Sequence, residues 1–310
     1  MRGDSTTPTS LLIGPASLDI YLGRDLVLPG GGALNMAWHL RDEPDPFGLL
    51  TRVGDDRPDV FRAFLARHGI VHAESALVAP GASCSIDIVI WPDLQPWMDH
   101  FVEGVWAAYR TTPDEQALVA GARLVHLVLV EGAIRELERL DAAGALAGPE
   151  VTTDFLGFRH YTVDRFRATM RMVDVGFVGW PGLPDDADVG GIRAVAHDLG
   201  RLVVVTLGAR GVLVFDGRPG GEDRVVPVVP VPVRGTTVGC GDAFIAGFLQ
   251  VWRGSRDVAA AVERGKVMGA AATAWRRPLP DAAYGPEAAA ALRAADEAAA
   301  GAELAPRWTA

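Results

Sequence analysis

Lysine is almost missing from this chain: of 29 basic residues, Lys266 is the only lysine and the rest are arginine. A Walker A loop needs Gly-Lys-Ser/Thr and a protein kinase needs a lysine on a strand. Lys266 stands in Glu263-Arg264-Gly265-Lys266-Val267-Met268 and supplies neither. Any nucleotide phosphate would have to be held by backbone N–H groups and arginines. Cysteine is equally scarce, with only Cys84 and Cys240, so a disulfide framework and paired metal-ligand spacing are excluded. The seven histidines include no His-Glu-x-x-His, and no Cys-x-x-Cys follows His72-Ala73-Glu74, so no zinc site is expected. No apolar run reaches membrane-spanning length, and Met1-Arg2-Gly3-Asp4-Ser5 does not open a signal sequence. The expectation is a cytoplasmic protein without a membrane partner. A net charge of −10 without a basic stripe argues against a nucleic-acid partner.

What is present is a chain of 310 residues, 49% hydrophobic, long enough for a large core. From Ala122 onward the pattern alternates, with strands at Leu124 to Val130, Val151 to Phe155 and Val175 to Val178, and helices at Ala133 to Ala147 and Val163 to Met172. Continuous apolar runs such as Leu202-Val203-Val204-Val205 indicate strands covered on both faces, hence an α/β fold with a mostly parallel sheet and crossover helices. Ser83 to Trp91 alternates as a half-exposed strand, Leu22 to Leu28 reads as a further strand, and the valines of Val225 to Val233, cut by prolines, read as a sheet edge. Trp91, Trp97, Phe101, Trp106 and Tyr109 read as one aromatic cluster, better suited to a dimer or lid core than to stacking on a ligand. The alanine-rich segment 282–310 reads as a terminal helix, frayed in part.

The chain is organised around Gly235-Thr236-Thr237-Val238-Gly239-Cys240-Gly241-Asp242-Ala243-Phe244, a glycine turn running into an apolar helix. The N–H groups of Gly239, Cys240 and Gly241 would lie at a helix start, where unpaired donors and the dipole favour an anion. Asp242 admits two readings, a helix cap or a base that takes a proton from an attacking hydroxyl. Cys240 has no histidine near it in sequence and reads as the small residue that the turn needs. Pro29-Gly30-Gly31-Gly32-Ala33-Leu34-Asn35 opens a second helix. It is not a dinucleotide fingerprint, since Asn35 stands where the last glycine would fall. Asp19 follows a strand and the turn at Gly14, and its bland reading is a surface turn. Glu131 sits at a strand's carboxyl end, where open α/β sheets place ligand contacts. Thr206-Leu207-Gly208-Ala209-Arg210-Gly211 is a tight turn between strands, consistent with a plain hairpin or with a nucleotide contact.

Three of these segments together resemble the PfkB, or ribokinase-like, carbohydrate kinases. Thr236 to Phe244 is similar to that family's Asp-Thr-x-Gly-Ala-Gly-Asp-Ala-Phe signature, Gly30 to Ala37 to its Gly-Gly-x-x-x-Asn-x-Ala signature, and Thr206 to Gly211 to its Thr-Leu-Gly-x-x-Gly turn. The segment Val173-Asp174-Val175-Gly176-Phe177-Val178 resembles the fructoselysine-kinase-like branch. The resemblance implies one doubly wound domain over 1–310 with a small β lid from about 21–29 and 83–106. It implies ATP-dependent phosphorylation of a hydroxyl, most simply a primary one, on a sugar or nucleoside. In that scheme Asp242 is the general base and Gly239, Cys240 and Gly241 are the anion hole. Asp19, Gly30, Gly31 and Asn35 hold the acceptor, with Glu131 as a further contact, and Thr206, Gly208 and Gly211 touch the nucleotide. An exposed lid sheet would favour a homodimer.

Three departures qualify that scheme. Thr236 replaces an aspartate associated with monovalent cations, so the resemblance carries no commitment to such a cation here. Gly179-Trp180-Pro181-Gly182 stands where an Asn-x-x-Glu would organise magnesium, leaving Mg2+ to be held mainly by ATP phosphates and water, with no protein metal ligand assigned. Trp275-Arg276-Arg277-Pro278 replaces a Gly-Ala. A kinase of sugars, a kinase of nucleosides and a non-catalytic binding relic all remain open at this point.

Overall fold

The computed structural model describes residues 7–23, 26–91, 93–158 and 161–301, so the alanine-rich segment is described only as far as 301. Its strands are β1 (Ser10–Ile13), β2 (Ser17–Tyr21), β3 (Leu26–Gly30), β4 (Gly48–Leu50), β5 (Val53–Gly54), β6 (Val78–Ala79), β7 (Cys84–Ile90), β8 (Pro96–Val102), β9 (Leu124–Val128), β10 (Glu150–Asp154), β11 (Val175–Gly179), β12 (Leu202–Thr206), β13 (Val212–Asp216) and β14 (Arg224–Val226). The helices are α1 (Gly32–Leu40), α2 (Pro58–His68), α3 (Glu74–Leu77), α4 (Pro113–Gly121), α5 (Glu131–Ala142), α6 (Val163–Met170), α7 (Ala187–Leu199), α8 (Cys240–Ser255), α9 (Val258–Ala272) and α10 (Pro286–Gly301).

Eight strands form the central sheet in the order β14-β13-β12-β11-β10-β9-β1-β4. The ladder is parallel from β4 to β12 and antiparallel for β13 and β14. Successive side chains on a strand point to opposite faces, and here both faces are covered. Leu202 and Val204 enter one core with Phe248 and Leu249 of α8. Val203 and Val205 enter the other with Ile192 and Val195 of α7. That division explains the unbroken apolar run of β12. At the sheet's edge β14 is only three residues long, and the proline-cut valines beyond it form no strand, Val229 being 88% exposed. Proline has no N–H to donate to a ladder, so the edge ends there.

A second sheet, ordered β3-β2-β7-β8, joins two antiparallel pairs through the parallel β2–β7 pairing. Its outermost strand begins at Leu26 rather than Leu22, because Leu22 and Gly23 turn the chain. Pro29 lies in that edge strand, the position in a sheet that tolerates a missing N–H. Asp19 is therefore inside strand β2 and buried, not on a surface turn. The aromatic cluster also divides. Trp106 and Tyr109 are buried and stacked with centroids 3.9 Å apart, the Trp106 indole donating to the Arg52 carbonyl at 3.0 Å, whereas Phe101 lies exposed on β8.

Candidate active site

Helix α8 starts abruptly at Cys240 because Gly239 before it is left-handed, φ 76°. A Cβ on Gly239 would stand 2.6 Å from Pro278 Cα, so only glycine lets the chain turn here against the segment that follows α9. Asp242 lies in the first helical turn without capping it, since Gly239 is the N-cap and has no side chain to bond. The Asp242 carboxylate instead accepts a hydrogen bond from Asn35 Nδ2 at 2.7 Å, across 207 residues of sequence. Burial raises Asp242 to about 6, and the Asn35 hydrogen bond opposes that rise by favouring the charged form.

Each residue of the Gly30-Gly31-Gly32 run gives way to something specific. A side chain on Gly30 would collide with the Asp19 carboxylate, one on Gly31 with the Pro15 carbonyl, and one on Gly32 would press on Asp242 Oδ1 at 3.2 Å. Gly31 also takes φ 97°, a conformation that other residues resist. The first two signatures thus meet in space. Asp19 is pushed up to about 7, chiefly by burial and further by the charge of Asp242, against the bond that Ser17 Oγ donates to its Oδ1 at 2.8 Å.

Asp154, at the carboxyl end of β10, is a site residue that the sequence analysis passed over. Burial, then the negative charge of Asp242, raises it to about 7, while the Leu156 N–H donating to its Oδ1 at 2.8 Å pulls the other way. The signal in the sequence was position alone: it ends a parallel strand that lies between β9 and β11, where open α/β sheets gather ligands. Asp154, Gly179, Thr206, Gly239, Gly241 and Asp242 are among the walls of one cleft of about 200 Å³. None of its lining residues is basic. Two carboxylates therefore face a space without a cationic side chain.

The remaining expected residues distribute unevenly. Gly208 and Gly211, with φ 58° and 116°, shape the turn joining β12 to β13 next to Thr206 and do not themselves line the cleft. Cys240 does not line it either, and its N–H is directed at the Thr237 carbonyl at 3.3 Å, which weakens the anion hole expected of it. Glu131 begins α5 half exposed, pairs with Arg165 at 2.8 Å and lies outside the cleft wall, so the strand-end position did not bring it to the site. Thr236 is a buried pin: its N–H donates to the Trp275 carbonyl at 2.7 Å and its hydroxyl accepts from Val238 N–H at 3.2 Å. The Gly179–Gly182 turn is braced by Trp180 Nε1 donating to Asp186 at 2.8 Å and Arg210 donating to the Pro181 carbonyl at 2.9 Å. Among the described residues no group of three or more His, Cys, Asp or Glu side chains is placed to hold a metal ion.

Residues 177–276, which carry the strand floor, the hairpin turn and the glycine mouth, match the model of the pfkB family carbohydrate kinases. The chain is 27% identical to fructoselysine 6-kinase of Escherichia coli over 262 residues, covering 83% of the chain and 94% of that protein. It is likewise 27% identical to cytidine kinase of Thermococcus kodakarensis over 267 residues, covering 82% and 92%. In fold it is similar to adenosine kinase from Schistosoma mansoni in complex with 2-fluoroadenosine (TM-score 0.74, 15% identity, 89% of this chain and 98% of that one). It is also similar to Arabidopsis thaliana ribokinase complexed with ribose and ATP (TM-score 0.69, 19% identity, 94% and 99%). Its fold is thus the ribokinase-like α/β fold.

Proposed function

We propose that this kinase transfers the γ-phosphoryl group of ATP to a hydroxyl, a primary one by preference, of a sugar or sugar derivative, with Asp242 as general base. The observation that carries the reading is the 2.7 Å bond between Asn35 and Asp242, which ties the acceptor-side signature to the phosphate-side signature. Asp19 and Asn35 orient the alcohol, with Gly30 and Gly31 leaving it room. The alcohol is far too weak an acid to ionise first, so Asp242 takes its proton as the new O–P bond forms. Such catalysis contributes typically about a hundred- to ten-thousandfold. The N–H groups at the mouth of α8, those of Gly239 and Gly241 foremost, face the phosphoryl group in transit, while Thr206 and the Gly208–Gly211 turn bound the nucleotide. Mg2+ bound with ATP supplies charge neutralisation, and the donor set suits an ion held by phosphates and water rather than by a protein cage. The β2-β3-β7-β8 sheet serves as the lid of a single domain, the protein works in the cytoplasm, and the lid faces pair two copies.

A nucleoside acceptor is the second reading, favoured by the match to cytidine kinase. Incubation with Mg-ATP and a panel of sugars, amino-acid-modified sugars and nucleosides, read by ADP release, separates the two. Asp242→Asn should then lose at least about a hundredfold in turnover with the productive substrate while nucleotide binding stays near normal. Full turnover by that variant would overturn the role of Asp242, and no ADP with any acceptor would favour a binding relic.

A further inference from the structure

We infer that Asn35, beyond any contact with the acceptor, is the positioning residue of the base: its amide holds Asp242 Oδ2 and leaves Oδ1 as the oxygen that receives the proton. The inference rests on Asp242 being the base of a kinase.

Three observations carry it. Asn35 Nδ2 donates to Asp242 Oδ2 at 2.7 Å, and Asn35 is buried, so water does not compete for its amide. The Asn35 backbone N–H is fixed by the Gly31 carbonyl at 2.9 Å, which anchors α1 and hence the amide. On the other side, Asp242 Oδ1 faces Gly32, whose missing side chain keeps that oxygen uncovered; a Cβ there would sit 3.2 Å away. One carboxylate oxygen is therefore committed and the other open. Asn35 Oδ1 is buried without a hydrogen-bond partner among the described residues, so the amide's orientation is determined by the bond to Asp242 rather than by its oxygen.

The charges around Asp242 make this donor consequential. From β2 comes Asp19 and from β10 Asp154, both negative when ionised, and Cys240 is the nearest titratable group on α8 itself. None of the cleft's lining residues is basic. Burial opposes ionisation of the base, and among the described residues the Asn35 amide is the one side-chain donor bonded to it. A hydrogen bond to a charged group favours the charged form by roughly one to two pH units.

The test reads Asp242 directly, in the whole protein, by the pH titration of ¹³C-labelled aspartate carboxyls in NMR, the Asp242 resonance being assigned by its loss in Asp242→Asn. In Asn35→Ala the midpoint should rise by roughly one unit or more from its native value near 6. Asn35→Gln, a longer amide, should recover part of the shift, and Asn35→Asp should raise it further than alanine. Circular dichroism melting identifies a variant that fails to fold, and the other two variants then carry the comparison. With a productive acceptor in hand, the acid limb of kcat should move by the same amount, with the KM for ATP unchanged. An Asp242 midpoint that stays put in folded Asn35→Ala and Asn35→Gln overturns the inference, whatever the activity. A shifted midpoint with no ADP from any acceptor would leave Asn35 holding the carboxylate but defeat the kinase role of Asp242, and with it this inference about a base.

Discussion

Asp19, Asp154 and Asp242 are three carboxylates in one buried setting, and all three are raised above the ordinary range. A carboxyl whose folded value is raised contributes stability that is full below the unfolded value of 3.8 and is lost as the pH rises through the folded value, about 7 for Asp154. At pH 8 the ionised Asp154 is therefore a destabilising group kept for the site. Asp154→Asn retains the acceptor for Leu156 N–H and removes the charge. Its melting temperature should exceed the native one by roughly 2–6 °C at pH 8 and match it at pH 4. Calorimetry at the two pH values checks this, and an equal difference at both would deny the buried charge any part. At this scale the family resemblance pointed to Asp19, Asn35 and Asp242 together, and the structure joins Asn35 to Asp242 in a direct hydrogen bond. Asp154 carries no such resemblance; its role follows from the pairing of β10 with β9 and β11, which only the folded sheet provides.

At the scale of elements, the segment after α9 shows what local patterns leave out. Trp275 to Pro278 pack against the glycine turn, Trp275 through its carbonyl to Thr236 and Pro278 against Gly239. Between them Arg277 is 1% exposed, donating to Asp281 at 2.8 Å and to Asp296 of α10 at 3.0 Å, with its guanidinium 5.8 Å from the Tyr21 ring of β2. One arginine thus joins the mouth, the lid-side sheet and the terminal helix. Removing one member of a buried pair strands the other charge and costs roughly 3–5 kcal/mol. Arg277→Ala should lower stability by about that much in urea unfolding, and hydrogen exchange should find α10 opening before the central sheet. Uniform exchange across both would contradict the link. Of the expected elements, β9, β10, β11 and α6 lie within about two residues of the reading, whereas α5 ends at Ala142 rather than Ala147. Helix α4 was passed over although Thr112 and Glu115 form a complete capping box, with reciprocal bonds at 3.2 and 2.8 Å.

At the scale of the whole molecule, the edge strand β8 of the second sheet leaves Met98, Phe101 and Val102 exposed, 38, 41 and 52% respectively. Exposed apolar side chains on an edge strand suit pairing with a second copy. Sedimentation should find a dimer for the native chain and a monomer for Phe101→Glu, and a native monomer at all concentrations would refute the lid-to-lid pairing.

By itself the sequence determined the doubly wound core, since runs such as Leu202 to Val205 can only be strands covered on both faces, and it determined the glycine mouth at Asp242, since positive φ and close contact exclude other residues. Tertiary structure alone decided which carboxylates share the cleft, that Glu131 serves an ion pair instead, and that Trp106 parts company with Phe101. The reason is physical: periodicity and turn chemistry are local, whereas burial, charge coupling and a hydrogen bond spanning 207 residues depend on which strands lie side by side.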